Sequence, residues 1–209
     1  MPLFAATAAI AILGTASAMS YLGAAQSQPG GANSEQIEAG RMRMPGGPEV
    51  VYRIRLLPLT SFPALPASVA EVLGQRKCMV PQTYEARAPE NVIHAALERQ
   101  GSSDWAVLCS VNGITTLYIV FQSQPNAPIA LRHQRDTEWL GAEALGAYGS
   151  AWGIARRSPS QIRQAQSRPG SAANRTEIDH DGIEDAFVEK SSTIHYFEGG
   201  SWTTLNNPN

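Results

Sequence analysis

Apolar and polar residues alternate in Tyr52-Arg53-Ile54-Arg55-Leu56, and this period of two predicts a half-buried strand over 50–56. Prolines 58, 63 and 66 then interrupt regular structure. Between Pro66 and Gly74, Val69, Val72 and Leu73 fall on one face at helical spacing, which predicts a short helix. The clearest pattern spans 91–121. Asn91 to Leu97 is compatible with a strand, Gly101-Ser102-Ser103 reads as a turn, and Trp105 to Cys109 is a near-continuous apolar run. Asn112-Gly113 is a strong hairpin signal, and Ile114 to Phe121 is β-branched and aromatic, so the three segments predict an antiparallel meander. The pattern weakens over 122–149, where Trp139, Leu140 and Leu145 give only partial periodicity. Ala151 to Ile154 reads as another strand. Ser158-Pro159 has the layout of a helix start running to Ala165, and 166–175 reads as a loop. A second hairpin closes the chain: Ala186-Phe187-Val188, Thr193 to Phe197, Gly199-Gly200 as the turn, and Ser201 to Leu205. The expected class is α+β, mainly antiparallel sheet (a meander plus a C-terminal hairpin), with two or three short helices.

Composition adds a compartment. No charged side chain precedes Glu35, Leu3 to Leu13 is apolar and alanine-rich, and Ala16-Ser17-Ala18 is a small-x-small cleavage site. Residues 1–18 therefore read as a signal peptide, although only the α-amino group supplies positive charge; a retained short anchor is the alternative. About ten apolar residues are too few to span a bilayer as a mature helix, so no membrane span is expected after cleavage. Residues 19–48, with Gln-Ser-Gln-Pro-Gly-Gly and Met-Pro-Gly-Gly-Pro, read as a flexible linker, and 49–209 as a single globular domain. Export to the periplasm or the medium makes Cys78 and Cys109 an expected disulfide. Closing a loop of about 30 residues contributes ~3–4 kcal/mol. A reactive thiol or a pair of metal ligands is the competing reading. With 16 basic and 18 acidic side chains, net charge −2, the chain has no broad basic field for nucleic acid.

Chemistry concentrates in Glu177-Ile178-Asp179-His180-Asp181-Gly182-Ile183-Glu184-Asp185. Carboxylates at alternate positions before a glycine are the layout of a calcium loop, and Glu177, Asp179, Asp181 and Asp185 are the candidate ligands, with the Ile183 carbonyl as a fifth oxygen. An EF-hand is excluded, because the twelfth position from Glu177 is Val188, where a bidentate glutamate belongs. The competing reading is an acidic turn whose aspartates accept loop amides. Gly182-x-x-Asp185-x-x-Val188 also echoes Gly101-x-x-Asp104-x-x-Val107, which suggests that both serve as strand-opening turns. The 177–188 run resembles the acidic loop of FG-GAP or VCBS-type repeats, with Glu177 replacing the first aspartate; only the local loop geometry carries over. Four blocks resemble a group of uncharacterised exported bacterial proteins over roughly residues 62–205. They are Cys78 to Gln82, Asp104 to Ser110, Asp179 to Ile183, and Ser192 to Tyr196 with Gly199 to Trp202. That resemblance implies a secreted protein and supplies no catalytic residue.

Two functions follow as expectations. The first is an exported non-catalytic binding or interaction domain, calcium being its candidate stabiliser, with a protein, a glycan or an envelope component as partner. Trp202, beside the Gly-Gly turn, is its candidate ligand platform. Trp105, inside an apolar run, reads as core, and Trp139 and Trp152 would join the platform only if exposed and coplanar with it. The alternative is a secreted hydrolase in which His180, Asp181 and His195 converge as an acid–base or metal site. No Gly-x-Ser-x-Gly elbow, His-Glu-x-x-His or phosphate-binding glycine loop supports it. The strand parity of His195 also allows a merely solvated residue.

Overall fold

A computed structural model describes residues 34–44, 46–142, 146–168 and 177–208. The signal-peptide segment 1–18 and linker residues 19–33 lie outside them. Nine strands form the first sheet: β1 (Gln36–Arg43), β2 (Glu49–Pro58), β3 (Met79–Gln82), β4 (Val92–Ala95), β5 (Asp104–Val111), β6 (Ile114–Val120), β7 (Ile129–Arg135), β8 (Leu140–Ala142) and β9 (Tyr148–Ser150). Their order is β7-β6-β5-β3-β2-β9-β8, with β1 also beside β2 and β4 also beside β5. All pairings are antiparallel except the single β2–β9 contact at Tyr52 and Tyr148. The second sheet is a four-stranded antiparallel meander of β10 (Trp152–Arg157), β11 (Gly182–Phe187), β12 (Ser191–Glu198) and β13 (Ser201–Pro208). The α-helices among the described residues are α1 (Ala67–Gly74) and α2 (Pro159–Gln166), joined by single 3₁₀ turns at Leu59–Ser61 and Asp136–Glu138.

Four layers result: α1, first sheet, second sheet, α2. On one face of β5, Trp105, Val107 and Cys109 pack with Val69, Val72 and Leu73 of α1. Ala106 and Leu108 face the other way, joining Leu117, Ile119 and Trp139 against Trp152 and Ile183 of the second sheet. A strand covered on both faces reads as a continuous apolar run, which is the 105–109 pattern. The disulfide Cys78–Cys109, with Cα atoms 5.1 Å apart, ties the end of α1 to β5. On the outer face of the second sheet, Ile162 and Ala165 of α2 cover Ile194, Tyr196 and Leu205. Helix α2 begins as its sequence predicts: Ser158 and Gln161 close a capping box around Pro159. Both hairpin turns also form where expected, with left-handed backbone at Asn112-Gly113 and Gly199-Gly200.

Two segments depart from the sequence reading. Residues 36–43, expected as linker, form β1 in register with β2 from Gln36↔Leu56 to Arg43↔Glu49. Its inward positions are Gln36, Glu38, Gly40 and Met42, while Ile37 faces out, 47% exposed. The polar–apolar pattern is thus inverted, and periodicity cannot find the strand. In addition, β11 opens at Gly182, so Ile183, Glu184 and Asp185 are buried sheet residues rather than loop.

Candidate functional site

Parity along β11 decides where each acidic side chain goes, since neighbours on a strand face opposite sides. Asp181, Ile183 and Asp185 point between the sheets; Gly182 and Glu184 point toward α2, where Glu184 pairs with Arg157. Ahead of the strand, Glu177 and Asp179 are exposed and Ile178 is buried under α2. His180 lies 3.0 Å from Asp179, and its Nε2 meets the Phe197 carbonyl at 2.7 Å. Asp181 is 4% exposed. Its backbone N–H donates to the Ala96 carbonyl at 2.7 Å, its carboxylate accepts the Ala96 N–H at 3.0 Å, and Arg156 pairs with it at 2.9 Å.

Asp185, 1% exposed, is the centre of a second cluster. It accepts hydrogen bonds from Trp152 Nε1 at 2.6 Å and Arg132 Nη1 at 3.0 Å, and His195 Nε2 lies 3.2 Å away. Arg132 reaches across from β7 and lays its guanidinium over the Trp139 ring, 4.6 Å from the centroid. Burial by itself raises the pKa of Asp185. The hydrogen bond from His195 and the charge of Arg132 outweigh it and hold the carboxyl below its ordinary value. On its far side, His195 Nδ1 lies 3.3 Å from Thr204 Oγ1, so hydroxyl, imidazole and carboxylate stand in line across β13, β12 and β11.

The expected constellations are therefore redistributed. His180, Asp181 and His195 each bind a different partner: the Phe197 carbonyl, Ala96 with Arg156, and Asp185 with Thr204. Among the described residues, no three His, Cys, Asp or Glu side chains are grouped to hold a metal ion; this applies to Glu177, Asp179, Asp181 and Asp185 as well. Gly182 does not make a left-handed turn. It permits close approach instead: a Cβ there would lie 2.6 Å from the His195 carbonyl oxygen. Trp202 stacks on Phe121 at 6.1 Å and 14°, and its Nε1 is buried with no hydrogen-bond partner among the described residues.

The echo between the two Gly-x-x-Asp segments is also out of register. Asp104 accepts the amides of Leu97 and Glu98, both at 2.8 Å, and that of Gln122 at 2.8 Å, as a strand-opening aspartate should. The counterpart in the second sheet is Asp181, at the mouth of β11, not Asp185.

Sequence reasoning missed Arg132, Thr204 and Asn91. Asn91 is 3% exposed and left-handed, a conformation that asparagine tolerates. Its amide stands in for a strand neighbour along the edge of β10: Nδ2 donates to the carbonyls of Pro81 at 2.7 Å and Trp152 at 3.1 Å, and Oδ1 accepts the Ile154 N–H at 3.0 Å. Beside this bridge lies an open groove of about 490 Å³. Its lining includes Gly153, Ala155 and Ala186 of the second sheet, with Glu85 and Arg87 exposed on the facing segment. No signal in the sequence marks this groove, because its floor is made of small residues from separate strands. Comparison with protein-family models, with curated proteins and with solved structures gives no match to this chain.

Proposed function

We propose that this chain is an exported, non-catalytic binding module, acting in the periplasm or outside the cell through the groove between residues 83–91 and β10–β11. The observation that carries this reading is a contrast in availability. His180, Asp181, Asp185 and His195 are each engaged by a partner inside the fold, whereas Glu85 and Arg87 stand exposed at the rim of an open groove. A floor of Gly153, Ala155 and Ala186 lets a ligand backbone approach the sheet closely, and rim charges of both signs suit a polar chain, either a glycan or a protein segment. The test is retention of the purified protein on peptidoglycan sacculi, lipopolysaccharide and envelope protein fractions, comparing wild type with Ala155→Trp, which fills the groove from an exposed position. Retention that the substitution abolishes supports the groove. Equal retention of both proteins, or no retention on any fraction, overturns it.

A second reading rests on the Thr204–His195–Asp185 line, the order of groups used in acyl transfer. It requires hydrolysis of chromogenic esters by the wild type and loss of that activity in His195→Ala. Here the carboxylate also serves Trp152 and Arg132, which makes it first a fastening between the sheets.

A further inference from the structure

The face of β1 and β2 turned away from the core is basic and partly aliphatic. Directly opposed residues on an antiparallel ladder point the same way, so Ile37↔Arg55, Ala39↔Arg53, Arg41↔Val51 and Arg43↔Glu49 form four successive rows on one surface. Each row holds one arginine, and the line of arginines crosses from β2 to β1 at its middle. Two residues of a strand rise ~7 Å, so the line extends over roughly 20 Å. Ile37 and Val51, 47% and 48% exposed, flank it; with Ile114 they are the exposed large hydrophobic side chains among the described residues. Pairing of Leu57 with Val80 continues this face into the cluster under α1. The helix covers that end and leaves the four rows open, with Arg55 half-buried and the other seven side chains exposed.

Counter-charge on this surface is thin. Glu49 lies 3.5 Å from Arg41 and Glu35 lies 3.0 Å from Arg55, but both pairs are in contact with solvent, where such bridges are weak. Arg43 and Arg53 have no ion-pair partner among the described residues. No acidic residue precedes Glu35, so the chain N-terminal to β1 has no counter-charge to supply. Four arginines against two glutamates make the ribbon locally cationic on a chain whose net charge is −2. We propose that this ribbon seats the protein on a bilayer surface rich in anionic phospholipid, the arginines meeting lipid phosphates while Ile37 and Val51 enter the boundary between headgroups and acyl chains. Both parts of the pattern are used there: guanidinium groups match phosphate oxygens in pairs, and the aliphatic side chains beside them leave water. A hydrated polyanion, such as a nucleic acid or an acidic polysaccharide, rewards the arginines alone. The contact is peripheral and separate from the groove, whose floor belongs to the second sheet; among the described residues no helix is long and apolar enough to cross a membrane.

Co-sedimentation of the full chain with vesicles tests this, using phosphatidylcholine alone and phosphatidylcholine mixed equally with phosphatidylglycerol. The wild type binds the mixed vesicles, does not bind the neutral ones, and is released by salt. This comparison needs no substitution. Each arginine near an anionic surface is worth about fivefold in binding, so Arg43→Gln combined with Arg53→Gln lowers partition by roughly 25-fold. Ile37→Thr combined with Val51→Thr keeps the charges and the strand preference; it weakens vesicle binding severalfold and leaves retention on heparin unchanged. Ala155→Trp, which fills the groove, binds vesicles as the wild type does. The proposal is overturned by absence of binding to the mixed vesicles, by equal binding to both kinds, or by vesicle binding indifferent to the Ile37 and Val51 changes, which would leave a simple polyanion as the partner. A dimer of the free chain that the arginine substitutions dissociate also overturns it, because the occupant would then be a second copy.

Discussion

Replacing Asp185 by asparagine keeps the shape of the side chain and removes its charge, which makes it a direct probe of the join between the sheets. The carboxylate serves Trp152 Nε1 and Arg132 Nη1 and meets His195 Nε2, and Asp185 itself is 1% exposed. An asparagine retains one acceptor oxygen and turns an NH₂ group toward one of these partners. At least one buried donor is then unsatisfied, at ~1–3 kcal/mol, and the bond to Arg132 loses its charge assistance. Arg132 is 31% exposed, so water offsets part of its share. The expected cost is ~2–4 kcal/mol, a large part of a typical domain stability of roughly 5–15 kcal/mol. Urea titration with the disulfide intact should show a lower midpoint at unchanged slope. Acid supplies the sharper check. The depressed folded pKa of Asp185 contributes stability above the unfolded value of about 3.9, lost as pH falls through the folded value. Asparagine cannot titrate, so the gap between the proteins should narrow below about pH 4. A gap that is the same at neutral and acid pH, or no gap at all, refutes the assignment.

Three further substitutions follow from the same geometry, each read as a shift in urea midpoint. Trp152→Phe deletes the donor to Asp185 and should cost ~1–3 kcal/mol, whereas Trp202→Phe removes an indole N–H that is buried with no partner among the described residues and should be neutral or stabilising. If the order is reversed, the hydrogen-bond assignment fails. Gly182→Ala places a methyl 2.6 Å from the His195 carbonyl oxygen, a backbone atom that must move, and should cost at least ~1–3 kcal/mol; a silent substitution would show that β11 and β12 are not so closely opposed.

Much of the fold is legible in the sequence, because the segments that were read share one property. In β2, β5 and β6, and at α1, the buried face is apolar and the repeat matches the element, and Asn112-Gly113 marks its turn by backbone preference alone. β1 and β7 escape notice for the opposite reason. β1 turns Glu38 inward and Ile37 outward, and β7 reads Ile-Ala-Leu-Arg-His-Gln-Arg, with Arg132 spending its charge on Asp185. A polar side chain that is buried because of its partner carries no hydrophobic signal, and the partner lies many residues away: 53 between Arg132 and Asp185. The acidic run was legible as a place where something specific happens. Its destination was not, because strand parity within β11 depends on where the strand begins.

That starting point gives the two buried aspartates of the 177–185 run, Asp181 and Asp185, their places between the sheets. The two sheets are joined by short polar contacts on the segment between β4 and β5. Asp104, on the first sheet, gathers the amides of Leu97 and Glu98, while Asp181, opening the second, takes both the N–H and the carbonyl of Ala96. Three successive residues are thus fixed by aspartates from both sheets, and Asn91 repeats the arrangement along the edge of β10. Hydrophobic contact between sheets is non-directional and would tolerate sliding. Buried carboxylates and amides do not, since a shift of one residue would orphan each of them. The aspartates therefore set the register of one sheet against the other. Asp185 with Arg132 adds the same restraint further along the interface, and the groove beside Asn91 inherits a fixed shape from it.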